Sequence, residues 1–176
     1  NGSAEVTIGE NCRFTVGLFR LYVSPYHTEI HIDKNTTVET KFEAHANCGK
    51  KIIIGQDCMI SHNVQFWAGD GHAIFDVESG KNINSDYEFL PERKNVLIIG
   101  DHVWVGFNAV IMHGTNIGTG SIVGTSSVVK SVFPNNCAIA GNPAKMIRKN
   151  CAWSRNMDAP DIYSIDNHGD LNAGKK

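Results

Sequence analysis

The stretch from Ile99 to Pro134 reads IGDHVW, VGFNAV, IMHGTN, IGTGSI, VGTSSV and VKSVFP, six consecutive units of six residues. Four of the six aliphatic leaders are followed directly by glycine, and the residue four places after a leader is mostly small. Neither a helix of period 3.6 nor a strand of period 2 produces this spacing, so the repeat decides the fold. The leaders are Ile99, Val105, Ile111, Ile117, Val123 and Val129.

The same phase continues upstream in weaker form. A six-residue unit supplies a short strand and a corner, and three units close one triangular coil that stacks on the next as parallel strands, about 4.8 Å apart. The sequence therefore predicts an all-β parallel β-helix with columns of aliphatic leaders inside it. Glycines and asparagines would occupy corners with unusual backbone angles. About five coils are expected, starting near Ile8, Ile32, Ile54, Ile99 and Ile117.

Three of the spacings between coil starts exceed 18 residues, by 6, 4 and 27 residues. The longest insertion, from about Asp70 to Lys94, must leave the prism as an excursion loop, and long loops in compact domains usually carry function. We expect one β-helix domain over 1–149 and a partly disordered C-terminal extension over 150–176. Trp153, Ile162 and Tyr163 of this extension could pack back on the prism.

Composition excludes several classes of protein. The net charge of -2, with 19% charged residues, lacks the basic excess of a nucleic-acid-binding protein. No stretch approaches the roughly 18 apolar residues of a membrane span. The five cysteines form no C-x-x-C pair, which fits a reducing compartment, and we expect a soluble, cytoplasmic protein. Cys12, Cys48 and Cys58 each lie four residues after a leader and are predicted to be small interior side chains.

The stretch from Ile99 to Arg148 resembles the hexapeptide-repeat acyltransferases, in particular the maltose, galactoside and surface-polysaccharide O-acetyltransferases. IGDHVWVG, the ladder of six-residue units, IVGTSSVVKSVFP and AGNPAKMIRKN carry this resemblance. Upstream, GDGHAIFDVESGKNIN is similar to the histidine-bearing loop of the polysaccharide branch. The resemblance implies a left-handed coil and a homotrimer with its sites at the subunit interfaces. It also implies acetyl-CoA as acyl donor, a saccharide hydroxyl as acceptor, and no metal.

His72 matches the catalytic histidine of the family's loop and lies where the ladder breaks into the excursion. Acetyl transfer to a hydroxyl needs a base that removes a proton from a poor nucleophile, and a neutral imidazole is suited to this task. We therefore predict that His72 is the general base of a direct transfer. Its orienting partner is left open among Asp70, Asp76, Glu78, Glu92 and a main-chain carbonyl, and the oxyanion donor is unassigned.

The other histidines have weaker claims. His62, His102 and His113 are expected to face outward from the ladder, most simply as solvated side chains. His27 and His31 stand four residues apart, which on a helix would suggest a pair of metal ligands. The residues around them are β-branched or turn-forming and do not favour a helix, so no metal site is expected there.

For the acyl donor, the resemblance implies that VWVGF flanks the thioester and that a corner near Gly124 bonds the pantetheine amides. Basic residues past the last coil, including Lys149, would meet the phosphates. Two departures from the family stand out, since Lys130 and Ser131 replace a Thr and a Lys, and Phe107 replaces a small residue. The predicted donor-binding residues are Trp104, Gly106, Phe107, Gly124, Thr125, Lys130, Lys145 and Arg148.

For the acceptor, Trp67, Asp70 and Asn84 are predicted to make contact. The ring of Trp67 should point outward near His72, where its face could stack on a sugar. Tyr87 and Phe89 in the excursion could serve the same purpose or pack against a neighbouring subunit.

Three other functions remain open. The same machinery could acetylate an amine, an amino acid or an antibiotic. A non-catalytic β-helix scaffold would lack a loop histidine and a donor motif, and this chain has both. A γ-class carbonic anhydrase needs three zinc histidines, and the spacing of His62, His72, His102 and His113 does not match that requirement.

Overall fold

The computed structural model describes residues 3–24, 27–47, 49–84 and 96–157, and this part of the chain consists of eighteen short β-strands without a helix. The strands form three sheets, A, B and C, and from β1 to β17 successive strands belong to sheets A, B and C in turn. Sheet A contains β1 (Ala4–Ile8), β4 (Thr28–Ile32), β7 (Lys51–Ile54), β10 (Val96–Ile99), β13 (Asn116–Ile117) and β16 (Val132–Phe133). Sheet B contains β2 (Arg13–Phe14), β5 (Thr37–Val38), β8 (Met59–Ile60), β11 (Trp104–Val105), β14 (Ile122–Val123), β17 (Cys137–Gly141) and β18 (Ala144–Lys149). Sheet C contains β3 (Phe19–Val23), β6 (Phe42–Ala46), β9 (Gln65–Ala68), β12 (Val110–Met112) and β15 (Val128–Val129).

One strand from each sheet makes one coil, so the chain forms five complete coils, and β16 and β17 begin a sixth. The register aligns Ile8 with Ile32, Ile54, Ile99 and Ile117 in one column of sheet A. The last four of these side chains are fully buried, as period-six burial requires. The predicted parallel β-helix and its five coil starts are confirmed. All sheet pairs are parallel except β17 with β18, a hairpin that closes the prism.

Phe133 departs from the prediction. It was expected at the small interior position of the unit led by Val129, but it pairs with Ile117 and leads the sixth coil. The corner between Val129 and Phe133 is two residues shorter than the repeat, so Phe133 takes the place of a leader.

Most corners share one backbone feature, with the third residue after a leader in the left-handed region. At the corner from sheet A to sheet B, the AB corner, five of these residues are not glycine and have φ between 51° and 61°. The glycines that directly follow leaders do not need a positive φ. A Cβ on Gly100 would lie 2.7 Å from the Thr119 nitrogen of the next coil, so these glycines allow close stacking of backbones and their predicted role is corrected. The left-handed residues at the AB corner are Asn11, Asn35, Asp57, His102, Gly120 and Asn136.

The small residues four places after leaders fill the interior, as predicted. Cys58 is fully buried and Cys12 half-buried, whereas Cys48 lies outside the described residues. Burial raises the pKa of the Cys58 thiol to about 12, so it is an inert interior group. Buried hydroxyls at equivalent positions bond the adjacent coil, as when Thr115 Oγ1 donates to the carbonyl of Val129 at 3.0 Å.

The three predicted insertions share one place. From sheet A to sheet B the leaders are six residues apart in every coil. From sheet C to sheet A the chain covers Leu21 to Ile32, Ala44 to Ile54 and Phe66 to Ile99, so all three insertions fall mainly at this CA corner. The corner between sheets B and C is called the BC corner. Among the described residues, no helix has the length and apolar character needed to cross a membrane.

Candidate active site

The described part of the excursion is a small hairpin that projects from the CA corner. The amide of Ile83 donates to the carbonyl of Ile74 at 2.8 Å, and the amide of Asp76 donates to the carbonyl of Lys81 at 2.9 Å. At its tip the Asp76 carboxylate accepts hydrogen bonds from the hydroxyl and the amide of Ser79. These bonds lower the pKa of the Asp76 carboxyl and occupy it at the turn.

One amide side chain fixes the segment that carries His72. Asn84 Nδ2 donates to the carbonyl of His72 and to Oδ2 of Asp70, both at 2.9 Å. Its Oδ1 accepts the amide of Ile74 at 2.6 Å. Asn84 therefore holds Asp70, His72 and Ile74 in place by hydrogen bonds. The acceptor contacts predicted for Asp70 and Asn84 stay predictions, but in this structure both groups are engaged in holding the loop.

The root of the excursion is anchored to neighbouring coils. Asp70 Oδ1 lies 3.3 Å from Nδ1 of His113, which follows β12 at the CA corner of coil 4. Gly69, with φ of 139°, packs against Asn47 of coil 2, where a Cβ would approach Asn47 Nδ2 to 3.0 Å. The carboxylate two residues before His72 thus lies close to a histidine that was expected to be solvated but is mostly covered.

The imidazole of His72 is exposed, and no hydrogen bond to it is formed within the described residues. Asp76 is engaged at the hairpin tip, and Glu78 is exposed in the same turn. Glu92, Tyr87 and Phe89 lie outside the described residues. An accessible imidazole at the root of a fixed loop can accept a proton from a bound hydroxyl.

Trp67 lies on the outer face of sheet C, in a column with Tyr22, His45 and Met112. Its ring stacks on the ring of His45 with centroids 4.1 Å apart and planes 7° apart. Its Nε1 donates to Gln65 at 3.1 Å. The face of Trp67 toward coil 2 is therefore occupied by His45, and Met112 of coil 4 is the neighbour of Trp67 on the other side.

Five of the residues predicted to bind the donor share the outer face of sheet B. Trp104 and Arg148 lie in one column of this face, on either side of Ile122 and Ala138. Gly106, Gly124 and Ala140 form the adjacent column, which ends at Lys145. These three residues are small, so this column presents no long side chain beside Trp104. We call the column Gly106, Gly124 and Ala140 the donor trough.

A β-bulge brings the two basic residues together. Lys145 and Arg148 are three positions apart, a spacing that puts side chains on opposite faces of a regular strand. The register shifts between Ala138 and Ile139, so Lys145 pairs with Ala140 and Arg148 pairs with Ala138. Both cations consequently project from the outer face at the closed end of the trough.

The remaining predicted donor residues are elsewhere. Phe107 and Thr125 are exposed at the BC corner, beside the trough. Lys130 follows β15 of sheet C, so it does not share a face with Lys145 and Arg148. His72 is at the CA corner, a different edge of the prism from the trough. The two groups of predicted site residues, which we call half-sites, therefore lie on different edges of one chain.

His102 was expected to face solvent, and this prediction is wrong. Its side chain is fully buried, with Nδ1 2.7 Å from Oδ2 of Asp57 and its ring stacked on that of Trp153. The C-terminal extension covers it, since Trp153 packs back on the prism as the sequence suggested. Ile162 and Tyr163 lie outside the described residues. His62 is exposed, as expected.

Comparison with known proteins shows the family to which the chain belongs. Residues 97–131 match the family model described as bacterial transferase hexapeptide, six repeats. The chain is 33% identical over 178 residues to the polysialic acid O-acetyltransferase of Neisseria meningitidis, covering 90% of this chain and 79% of that protein. The chain belongs to the hexapeptide-repeat transferase family. Its parallel coil is therefore the left-handed one of that family.

Two further likenesses place the chain within the hexapeptide transferases. It is 40% identical over 140 residues to a polysialic acid O-acetyltransferase of Escherichia coli O1:K1, covering 79% of this chain and 42% of that protein. The crystal structure of the polysialic-acid-specific acetyltransferase NeuO superimposes with a TM-score of 0.72 at 34% identity, over 89% of this chain and 71% of that one. Another solved structure of the fold, 26% identical, contains coenzyme A. The chain spans about half the length of the first curated relatives that it matches.

Within the described part of this hexapeptide transferase, no cluster of three or more His, Cys, Asp or Glu side chains could hold a metal ion. Sequence reasoning missed the contacts of Asn84 and His113, because both depend on the folded excursion and have no periodic signal. The contact between His102 and Trp153 did leave a signal. Asp57 and His102 depart from the asparagine or glycine found at the other AB corners.

Proposed function

We propose that the protein transfers an acetyl group from acetyl-CoA to a hydroxyl of a saccharide, a surface polysaccharide or its precursor, with His72 as general base. One observation carries the proposal: an accessible histidine stands on the long excursion of a hexapeptide transferase that is 33% identical over 90% of its length to a polysialic acid O-acetyltransferase. Asn84 holds the main chain of this histidine, which leaves its ring free for the acceptor.

In the proposed reaction, a ring nitrogen of His72 takes the proton of the acceptor hydroxyl as its oxygen attacks the thioester carbonyl. The tetrahedral intermediate collapses, the bond between carbon and sulfur breaks, and the coenzyme leaves as a thiolate that takes the proton back from the imidazolium. The imidazole starts and ends neutral, and no bond forms between protein and acetyl group. Such proton transfer typically contributes about 10²- to 10⁴-fold to the rate.

The donor trough suits an extended pantetheine arm. Gly124 and Ala140 are half-buried, Gly106 is buried, and none of the three has a long side chain that would cover the indole face of Trp104 beside them. At the closed end, the exposed Lys145 and Arg148 can pair with the phosphates. Close packing of the coils by itself requires glycine here, since a Cβ on Gly106 would approach the Val123 carbonyl oxygen to 2.7 Å.

We further propose that three subunits complete the sites. His72 belongs to the CA edge and the donor trough to sheet B, so the two half-sites face each other only if neighbouring chains pair these surfaces. A ring of three such heterologous contacts closes with three equal sites. The cytoplasmic location expected from the sequence stays a prediction. It fits an intracellular donor, and the described cysteines are all free.

The test is acetylation of a panel of acceptors by the purified protein, with acetyl-CoA as donor. Saccharides carrying free hydroxyls should be acetylated, and amines, amino acids and chloramphenicol should not. His72→Ala should lower turnover by about 10²-fold or more while coenzyme A binding is retained. His62→Ala is the matched control, since its side chain is 52% exposed and lies outside the excursion.

Full turnover by His72→Ala would remove this histidine from the mechanism. Acetylation of the amines alone would replace the saccharide acceptor with an amine.

A further inference from the structure

Residues Cys151–Met157 leave the end of β18 and run back along the AB corner toward the start of the prism. We call this segment the C-terminal strap. The amide of Cys151 donates to the carbonyl of Asn136 in coil 6 at 3.0 Å. Farther along, Arg155 donates to the carbonyl of Cys58 in coil 3 at 2.8 Å and to Thr37 of coil 2 at 3.1 Å. The strap thus joins coils that do not touch each other directly.

Trp153 is the centre of the strap and is 6% exposed. Its ring stacks on His102 with centroids 4.2 Å apart and planes 8° apart. Its Nε1 donates to the carbonyl of His102 at 2.7 Å, and its own carbonyl lies 3.1 Å from Nε2 of His102. Trp153 and His102 are therefore joined by two hydrogen bonds and a ring stack.

Asp57, in the coil before that of His102, also attaches the strap to the prism. One carboxylate oxygen is 2.7 Å from His102 Nδ1, and the other accepts from Arg155 Nε at 2.9 Å. The Arg155 guanidinium lies 5.5 Å from the centre of the Trp153 ring. Asp57 and His102 are the corner residues that replace the usual asparagine or glycine. The corner residues of the repeat thus change at the two coils that hold the strap.

The strap contacts the proposed donor site through one residue, Trp104. The ring of Trp153 lies 6.3 Å from that of Trp104, inclined by 50°. Trp104 is 37% exposed, and its Nε1 donates to Ser61 at 3.2 Å. Across sheet B the order is Trp153, Trp104 and then the donor trough. Trp104 therefore stands between the strap and the surface proposed for the pantetheine arm.

We propose that the strap positions Trp104 and thereby sets the affinity for acetyl-CoA, with Trp153 as the positioning residue. This inference rests on the proposed function of the trough. Removal of the Trp153 ring would leave a cavity beside Trp104, into which the Trp104 ring could turn. The Trp104 face would then move away from the trough, while His72 at the opposite edge would be unaffected.

The test compares Trp153→Ala with Trp153→Phe, which keeps an aromatic ring but loses the Nε1 donor. Met157→Ala is the matched control, because Met157 belongs to the strap but is 99% exposed. Arg155→Gln loosens the strap without removing Trp153, in case Trp153→Ala does not fold. Coenzyme A binding by calorimetry, Michaelis constants for both substrates and the Trp104 indole resonance in ¹H–¹⁵N spectra are the readouts.

Trp153→Ala should weaken coenzyme A binding about tenfold and shift the Trp104 indole resonance, with the acceptor Michaelis constant unchanged. Trp153→Phe should restore most of the affinity, and Arg155→Gln should show a smaller loss in the same direction. An unchanged Trp104 resonance in Trp153→Ala or, if that variant does not fold, in Arg155→Gln would overturn the positioning role. The positioning role would also be overturned if the variant that folds lost affinity for acetyl-CoA and for the acceptor to the same extent.

The two proposals can fail separately. If the wild-type protein does not bind coenzyme A, the proposed function and the donor half of this inference are both wrong. The Trp104 indole resonance of Arg155→Gln, which keeps the Trp153 ring and its ring current, still decides whether the strap positions Trp104.

Discussion

The AB corner and the CA corner of the same prism are built under opposite constraints. At the AB corner every coil keeps six residues between leaders, each corner residue is left-handed, and the strap covers the corners of Asp57 and His102. At the CA corner, three of the five connections contain insertions, and the longest carries His72. One edge keeps the coils in register, and the other tolerates extra chain.

Parallel stacking explains why this division is possible. A strand of sheet A needs only to meet the strand below it, so a loop before it can lengthen if the strand returns in register. Loop-closure entropy grows slowly with length, so a long excursion adds little cost beyond that of a short one. Confining insertions to one edge leaves two edges on which the coil closes with almost no variation.

The largest expected effect is on stability, and it comes from comparing a glycine substitution at the AB corner with one at the CA corner. Gly100→Val at the AB corner would place a Cβ 2.7 Å from the Thr119 nitrogen and 3.0 Å from the Ile117 carbonyl oxygen, both main-chain atoms of the next coil. We expect a loss of about 3 kcal/mol in the free energy of unfolding, measured by denaturant titration.

Gly114→Asn at the CA corner is the matched control. Gly114 has φ of 75° and no atom within 4 Å of its would-be Cβ, and asparagine tolerates this conformation. It should change stability by less than about 0.5 kcal/mol. Equal losses in the two variants would contradict the division between the corners.

A second prediction concerns the way the excursion holds His72. Asn84→Ala removes the bonds to Asp70, His72 and Ile74, so turnover should fall about tenfold or more through misplacement of His72. The midpoint of thermal unfolding should hardly change, because the hairpin contributes nothing to the buried columns. Lys81→Ala, an exposed side chain of the same hairpin, should leave turnover unchanged. A cooperative loss of fold in Asn84→Ala would show that the excursion supports the prism.

The smallest effect is expected at the hairpin tip. Since the Ser79 bonds hold the pKa of Asp76 below its ordinary 3.8, the tip is stabilised above the unfolded pKa and loosens as the pH falls through the lower, folded value. The amide resonance of Ser79 should titrate with a midpoint below 3.8, and Asp76→Asn should abolish this titration. A midpoint at or above the ordinary value would mean that the turn does not form in solution.

The sequence predicts the parts of the fold in which a buried side chain recurs every sixth residue. The leaders from Ile99 to Val129 identified the columns, and the spacing from Phe66 to Ile99 located the excursion. The left-handed sense of the coil was implied only by the family resemblance, because leaders six residues apart would stack equally well in a coil of either hand. The contacts of Asn84 and His113 with the excursion could not be predicted, because their partners are set by the folded loop.

Two further features depend on structure that interrupts the repeat. His102 is buried by Trp153, which returns from beyond the last strand. Lys145 and Arg148 share a face because of a bulge that strict alternation does not show.

The central claim is that His72 of one subunit serves the donor bound on sheet B of its neighbour, and mixed trimers test it most directly. His72→Ala should be unfolded and refolded together with Lys145→Glu/Arg148→Glu, each inactive alone at low acetyl-CoA concentration. If neighbouring chains share each site, the mixture should regain about a quarter of the wild-type rate, because one of three sites in each mixed trimer is intact. Mixed trimers that form but regain no activity would place both half-sites on one chain and contradict the account.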